Sequence, residues 1–296
     1  MTYVLLFANI SNMRYTFKDF KAEYPDDQAC LLSVLENRFG DTCPKCGVVG
    51  VKFHPITGRQ GFVCSECDKH IYPLAETIFR KSSTSLWNWF YAIYLFSVSK
   101  NGVSAKELER HLGVTYKTAW RMAKQIRKLM EDDTDTFTGT VEMDETYVGG
   151  RKKGQGVGRG TKNKTPIFGI VERGGSVKAV VAPSLTHKTV KPIIRDQVSI
   201  EAVVNTDYFH LYKKLIPDMG YEHQRINHSA GQYGIGETHT NTIEGYWSQL
   251  KNSIRGTYHM VSPKYLQTYV NEFSFRYNYR ALPICPILLE RAAKLS

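Results

Sequence analysis

Residues 141–150 read VEMDETYVGG and residues 202–210 read AVVNTDYFH, and these two stretches decide the fold. Each is a short β-branched run interrupted or ended by an aspartate, Asp144 in the first and Asp207 in the second. A third acid, Glu244, lies 37 positions after Asp207 in NTIEGYWSQLK (241–251), and Lys251 follows it by seven. The last segment has helical spacing. Carboxylates on two strands and a helix can be gathered around divalent ions, because hard cations such as Mg²⁺ take oxygen ligands.

From residue 139 onward the chain turns to strands first, with helices mixed in later, which argues for an α/β or α+β domain. Thr140–Val148, Pro166–Val171, Val177–Val181 and Ala202–Asp207 are short, β-branched and bounded by glycine, proline or polar clusters. Over Asn241–Ile254 the apolar stripe is Ile243, Trp247, Leu250 and Ile254. Glu244, Ser248, Lys251 and Arg255 share the polar face, since steps of three and four return to one side of a helix. A later helix starts at Ser262-Pro263, with Leu266, Tyr269, Val270, Phe273 and Tyr277 as its apolar stripe. Gly149–Lys164 carries six basic residues and no acid: Arg151, Lys152, Lys153, Arg159, Lys162 and Lys164. No G-K-[ST] follows its glycines, so a phosphate-binding P-loop and ATP are not expected.

Each acid also has a plain structural reading. Asp144 stands beside Glu142 and Glu145 as a strand residue, Asp207 can cap a helix beginning at Tyr208, and Asn241-Thr-Ile-Glu244 is a capping box. Among the histidines in this half are His187, His210, His223, His228 and His239, and His239 stands five residues before Glu244.

Upstream lie helical and cysteine-rich segments. Residues 14–40 read as helical, with Leu31, Leu32, Leu35 and Phe39 in phase and Gly40 as the stop. Cys43-Pro-Lys-Cys46 and Cys64-Ser-Glu-Cys67 are two C-x-x-C pairs joined by a hairpin around Pro55–Gly61. This is the pattern of a closed tetrahedral zinc site of structural type. His54 and His70 are near but not needed. Cys30 and Cys285 read as ordinary buried thiols, and six cysteines used this way fit a reducing compartment.

Residues 84–130 carry three helical patterns. Ser104 caps one, with Glu107 completing a capping box, Gly113 makes the tight turn and Thr115 caps the next. Ala119, Met122, Ile126 and Leu129 continue the core face, while Lys117, Thr118, Arg121, Lys124 and Lys128 project elsewhere. That is the grammar of a helix-turn-helix, whose second helix meets phosphates and base edges. Glu131–Thr138 reads as a linker.

The 296 residues carry a formal net charge of +11, which favours a polyanionic partner. The apolar run Leu86–Val98 is too short for a bilayer, no signal peptide stands out, and Met13 is an alternative start to Met1. A cytoplasmic protein, nucleoid-associated when bound to DNA, is expected.

Taken together, CPKCG…CSEC, MDETYVGGRKKG, NTDYFHLYKKL and HTNTIEGYWSQLKNSIRGTYHMVSPKYLQTYVNEFSFRYN resemble the ISXO-type bacterial insertion-sequence transposases over about residues 25–280. The resemblance implies a multidomain protein. It would comprise an N-terminal extension and helix (1–38), a small β zinc ribbon (39–80) and an all-α helix-turn-helix (81–132). An α/β RNase H-like DDE domain with a mixed sheet would follow (138–296). It places catalytic Mg²⁺ or Mn²⁺ on Asp144, Asp207 and Glu244, with Lys251 as the accompanying cation and structural zinc on Cys43, Cys46, Cys64 and Cys67.

Two-metal strand cleavage and strand transfer at terminal inverted repeats is the implied reaction. The implied partners are the repeats, target DNA and a second copy of the chain in the synaptic complex. The basic residues Arg151, Lys152 and Lys153 would lie along DNA near the acids. Two other readings remain at this level: a non-catalytic DNA-binding regulator needing only residues 40–130, and an RNase H-like nuclease without end preference.

Overall fold

Pro25 breaks the first helical pattern in two, because the residue before a proline is driven out of the α region. Thr16 and Asp19 form a capping box at the start of α1 (Phe17–Glu23). Asp26 then caps α2 (Asp27–Phe39), its carboxylate accepting from the Ala29 amide at 2.9 Å. The computed structural model describes residues 15–149, 164–226 and 239–294. The chain divides into two compact units, Met1–Met130 with Ala281–Ser296, and Glu131–Arg280.

In the first unit, β1 (Phe53–Pro55), β2 (Phe62–Cys64) and β3 (His70–Ile71) form a small antiparallel sheet. The hairpin is the one its turn residues predict; β3 was not anticipated. Three helices follow, α3 (Leu86–Val98), α4 (Ala105–Leu112) and α5 (Tyr116–Leu129). Ser104 caps α4, Gly113 takes φ 62° in the turn and Thr115 caps α5, as the side-chain chemistry of that stretch requires. Only the serine half of the expected Ser104–Glu107 box is made, with the Glu107 amide donating to Ser104 Oγ at 3.1 Å.

Helix α10 (Ile284–Lys294) belongs to this compact unit, whereas the second unit runs from Glu131 to Arg280. Its buried side, Cys285, Leu288, Leu289, Ala292 and Ala293, packs among α2, α3 and α5. Arg291 donates to the Leu129 carbonyl at the end of α5. Burial also pushes the Cys30 and Cys285 thiols up to about 12, so neither ionises readily.

The second unit is built on a five-stranded mixed sheet of order β6-β5-β4-β7-β8. Its strands are β4 (Thr140–Val148), β5 (Thr165–Glu172), β6 (Val177–Val181), β7 (Val203–Asp207) and β8 (Glu222–Ile226). β4, β5 and β6 pair antiparallel, whereas β4, β7 and β8 run parallel.

Helices cover both faces, so the strands bury side chains on each. On one face α6 (His187–Gln197) and α7 (His210–Asp218) pack over Val141, Met143, Phe168, Ile170 and Val204. On the other, α8 (Asn241–Ser253) and α9 (Pro263–Asn278) pack over Val148, Ile167, Val171, Val177 and Ala179. A π-helical turn, Ile254–Tyr258, links these two helices. From that turn Tyr258 donates to the fully buried Glu272 of α9, which also pairs with Arg276 at 3.0 Å. Among the described residues no helix is long and apolar enough to cross a membrane.

Candidate functional site

Strand register brings the first two acids together. Met143 pairs with Thr206 across the parallel β4–β7 ladder, so one step further Asp144 lies beside Asp207 at the C-terminal end of β7. Beyond that point β4 continues without its parallel neighbour and presents an open edge. The carboxylate oxygens of Asp144, Glu145 and Asp207 lie within 4.8 Å of one another there. The ends of parallel strands are where open α/β sheets place ligand sites.

Glu145, which sequence reasoning did not single out, is held by the buried Tyr212 hydroxyl of α7 at 2.8 Å. Asp207 accepts from the Phe209 amide at 2.8 Å, a trace of its expected capping role, although α7 itself starts at His210. Burial, then the charges of Glu145 and Asp207, raise the Asp144 carboxyl to about 8. Three carboxylates crowded this closely favour a cation among them.

The wall opposite is α8. Glu244, Ser248 and Lys251 on its polar face line one cleft of about 410 Å³ with Asp144, Glu145, Thr146, Asp207, Thr240 and Trp247. Glu244 lines this cleft but is not part of the tight cluster; it accepts from Thr240 Oγ1 at 3.1 Å. The expected Asn241 capping box does not form, since Thr240 occupies the cap position and Asn241 is already helical. Burial lowers the Lys251 ammonium pKa, and the Asp144 charge opposes that shift.

Trp247 closes the floor, its indole N–H donating to Asp144 Oδ2 at 3.0 Å. The indole fits because Gly169 of β5 faces it, paired with Asp144 in the register. A Cβ on Gly169 would meet the ring at 2.6 Å.

A second candidate centre lies in the first unit, where the sulfurs of Cys43, Cys46, Cys64 and Cys67 lie within 4.8 Å of one another. Cys43 and Cys67 Sγ are 3.9 Å apart. A tetrahedral zinc thiolate requires about 3.8 Å between sulfurs, so the set fits that ion.

The two pairs share one geometry. The Lys45 amide donates to Cys43 Sγ and the Glu66 amide to Cys64 Sγ, each at 3.4 Å. Four residues after each leading cysteine the chain turns through positive φ, at Gly47 (76°) and Asp68 (54°). His54 and His70 are exposed and outside the cluster.

The residues expected to meet DNA divide. Lys117 and Lys124 on α5 are exposed. Thr118 is half-buried, its hydroxyl 3.1 Å from that of Thr115 in the cap. Arg121 departs from the expectation of an outward cation: it donates to the Arg80 carbonyl at 3.1 Å, and its guanidinium lies over the Trp89 ring at 5.5 Å. It is engaged within its own unit because the neighbouring turn of α5 faces the α3 aromatics. Arg151, Lys152 and Lys153, with the rest of the basic segment up to residue 163, lie outside the described residues, as do His228 and the alternative start Met13.

The chain is similar in sequence to mobile-element proteins. The ISXO2-like transposase domain matches residues 136–278, and the transposase zinc-ribbon domain matches residues 25–70. An uncharacterized protein in transposable element ISH50 of Halobacterium salinarum is 28% identical over 264 residues, covering 84% of this chain and 89% of that protein. An uncharacterized transposase-like protein of Haemophilus influenzae is 30% identical over 103 residues, 34% of this chain and 80% of that protein. No solved structure matches the chain.

Proposed function

Because the chain belongs to the ISXO2-like transposase family, we propose that it is a DDE transposase acting on the terminal inverted repeats of an insertion sequence. The observation that carries this reading is that Asp144 and Asp207 stand close together just beyond the β4–β7 pairing of a mixed sheet, beside a helix bearing Glu244 and Lys251. An RNase H-like architecture for the second unit agrees with that sheet order and with helices on both faces.

Asp144, Asp207 and Glu244 hold divalent metal, Mg²⁺ or Mn²⁺, and Glu145 stands close enough to share in it. Bound there, the metal supplies Lewis-acid activation of a water or a 3′-hydroxyl and stabilises the leaving oxygen. The protein supplies the rest. Tyr212 and Trp247 fix the orientation of Glu145 and Asp144 by hydrogen bonds. Lys251, on the cleft wall, grips a phosphate oxygen of the DNA strand.

Cys43, Cys46, Cys64 and Cys67 hold structural zinc, and the α4–turn–α5 element acts as a helix-turn-helix on duplex DNA with Lys117 and Lys124 outward. Arg151, Lys152 and Lys153 track the backbone of the same DNA. Synapsis of two ends requires a second copy, and the protein works in the cytoplasm on the nucleoid. The test is cleavage of labelled DNA carrying the element's inverted repeats with Mg²⁺, comparing wild type with Asp207→Asn. Cleavage at the repeat boundary, lost in the variant while binding persists, supports the reading; equal binding with no metal-dependent cleavage by either protein supports a regulator instead.

A further inference from the structure

Glu142 lies two residues before Asp144 on the same strand, so the period of two puts both side chains on the face covered by α8. It is fully buried, at 0% exposure. A carboxylate there is costly to bury unless every oxygen is engaged by donors. Three donors reach it, and a histidine ring stands close by. Oε1 accepts from Arg173 Nε at 2.8 Å and Thr242 Oγ1 at 2.9 Å, and His239 Nδ1 lies 3.0 Å away. Oε2 accepts from the Ile243 amide at 3.0 Å.

Two of those donors, Thr242 Oγ1 and the Ile243 amide, belong to the segment that opens α8. The helix has no side-chain cap bond of its own at Thr240, and Ile243 is its third residue, one of the amides left without a partner inside a helix. Glu142 therefore supplies from the neighbouring strand what an N-cap side chain supplies locally. Arg173, at the end of β5, doubles the tie by donating to the His239 carbonyl at 2.9 Å. Glu244 is the residue directly after Ile243. The backbone position of the third acid is thus set by a carboxylate on the strand that carries the first.

We propose that Glu142, clamped by Arg173, Thr242 and the Ile243 amide, is a positioning residue that holds the start of α8 in register with β4 so that Glu244 completes the metal site. The inference rests on the proposed metal-dependent reaction. It separates Glu142 from the ligands: Glu142 is enclosed by protein donors and faces no cleft, so it acts through Glu244.

The experiment measures Mn²⁺ binding to the full-length protein by the loss of free-ion electron paramagnetic resonance signal, alongside melting temperature and the kcat and KM for end cleavage. The variants are Glu142→Gln, Thr242→Val and Asp207→Asn. We expect Glu142→Gln to weaken Mn²⁺ by ~10-fold or more and lower kcat similarly with KM for DNA unchanged, the range seen when groups that orient metal ligands are removed. Thr242→Val, which keeps the charge network and removes one hydroxyl, should move both quantities the same way by about 3-fold.

A drop in melting temperature with Mn²⁺ affinity and kcat within about 2-fold of wild type would mean that Glu142 only stabilises the fold, and would overturn the proposal. If Glu142→Gln fails to fold, Thr242→Val decides by the same criterion. Loss of Mn²⁺ binding in Asp207→Asn beside wild-type binding in the other two sinks the clamp alone. Unchanged binding in Asp207→Asn sinks the metal-site reading and the clamp with it.

Discussion

Trp247 and Asp144 are 103 positions apart, yet the indole N–H of one donates to the carboxylate of the other at 3.0 Å. This bond spans the interface between α8 and β4 and fixes one oxygen of a carboxyl that burial has already driven to about 8. Trp247→Phe keeps most of the apolar packing and removes only the donor. Metal-dependent cleavage should fall ~10-fold with DNA-end affinity unchanged, read in single-turnover kinetics at saturating protein.

Gly169 and Trp247 form a reciprocal pair. Gly169→Ala places a methyl 2.6 Å from the indole and 3.2 Å from Ile243, which overpacks the sheet–helix interface and should cost about 1–3 kcal/mol. The clashing atoms are at the far end of the indole, so Trp247→Phe should recover part of that loss. A double-mutant cycle on urea midpoints should show a coupling of about 1 kcal/mol or more; additive losses would show that the ring yields freely.

The pH dependence of the metal-free protein follows from Asp144. Its folded-state carboxyl titrates near 8, so between the ordinary carboxylate range and pH 8 the native state holds a proton that the unfolded chain has released. Stability from this group therefore falls as pH rises through that window and is level above it. Asp144→Asn removes the effect. Relative to wild type, the variant should gain about 1–2 kcal/mol, a few degrees in Tm, between pH 5 and pH 9, since water reaching the cleft side of the mostly buried carboxyl screens the effect. Mg²⁺ should reverse the ranking by binding only wild type.

Removing zinc should affect one unit alone. Prolonged chelation, or Cys64→Ser, should melt the β1–β3 sheet, whose strands are two and three residues long and carry little core of their own. Native mass spectrometry should show loss of one zinc per chain. Near-ultraviolet dichroism should change, while Mn²⁺ binding at the acids persists.

Arg121 should separate from its lysine neighbours. Lys117→Ala and Lys124→Ala should each lower the slope of log affinity against log salt by about 1 with unchanged Tm. Arg121→Ala should instead cost about 1 kcal/mol of stability, since it loses the Arg80 carbonyl and the Trp89 face.

The parts of the fold legible in the sequence were those written locally. β4 to β7 are β-branched runs between turn residues, and α4 and α5 announce themselves through Ser104, Gly113 and Thr115. β8 was not legible because EHQRI has a single apolar residue, as befits an edge strand in which only Ile226 is buried. The site shows the same division. Asp144 and Asp207 stand out as acids in apolar strands, whereas Glu145 reaches them only because β7 stops and leaves β4 with an open edge. Nor can local reading reveal that the cap of α8 comes from Glu142, a hundred residues upstream.

The return of α10 to the first unit has a consequence for synthesis. Residues up to Met130 leave the ribosome early, but the helix that shares their core emerges only after all of Glu131–Arg280. A growing chain therefore carries an unfinished first unit while the second is made, with the surfaces that receive Leu288, Leu289 and Ala292 uncovered until α10 appears. A product broken off before Ala281 would be left without that helix and exposed to proteolysis. Completion of the first unit is thus coupled to translation of the whole second unit.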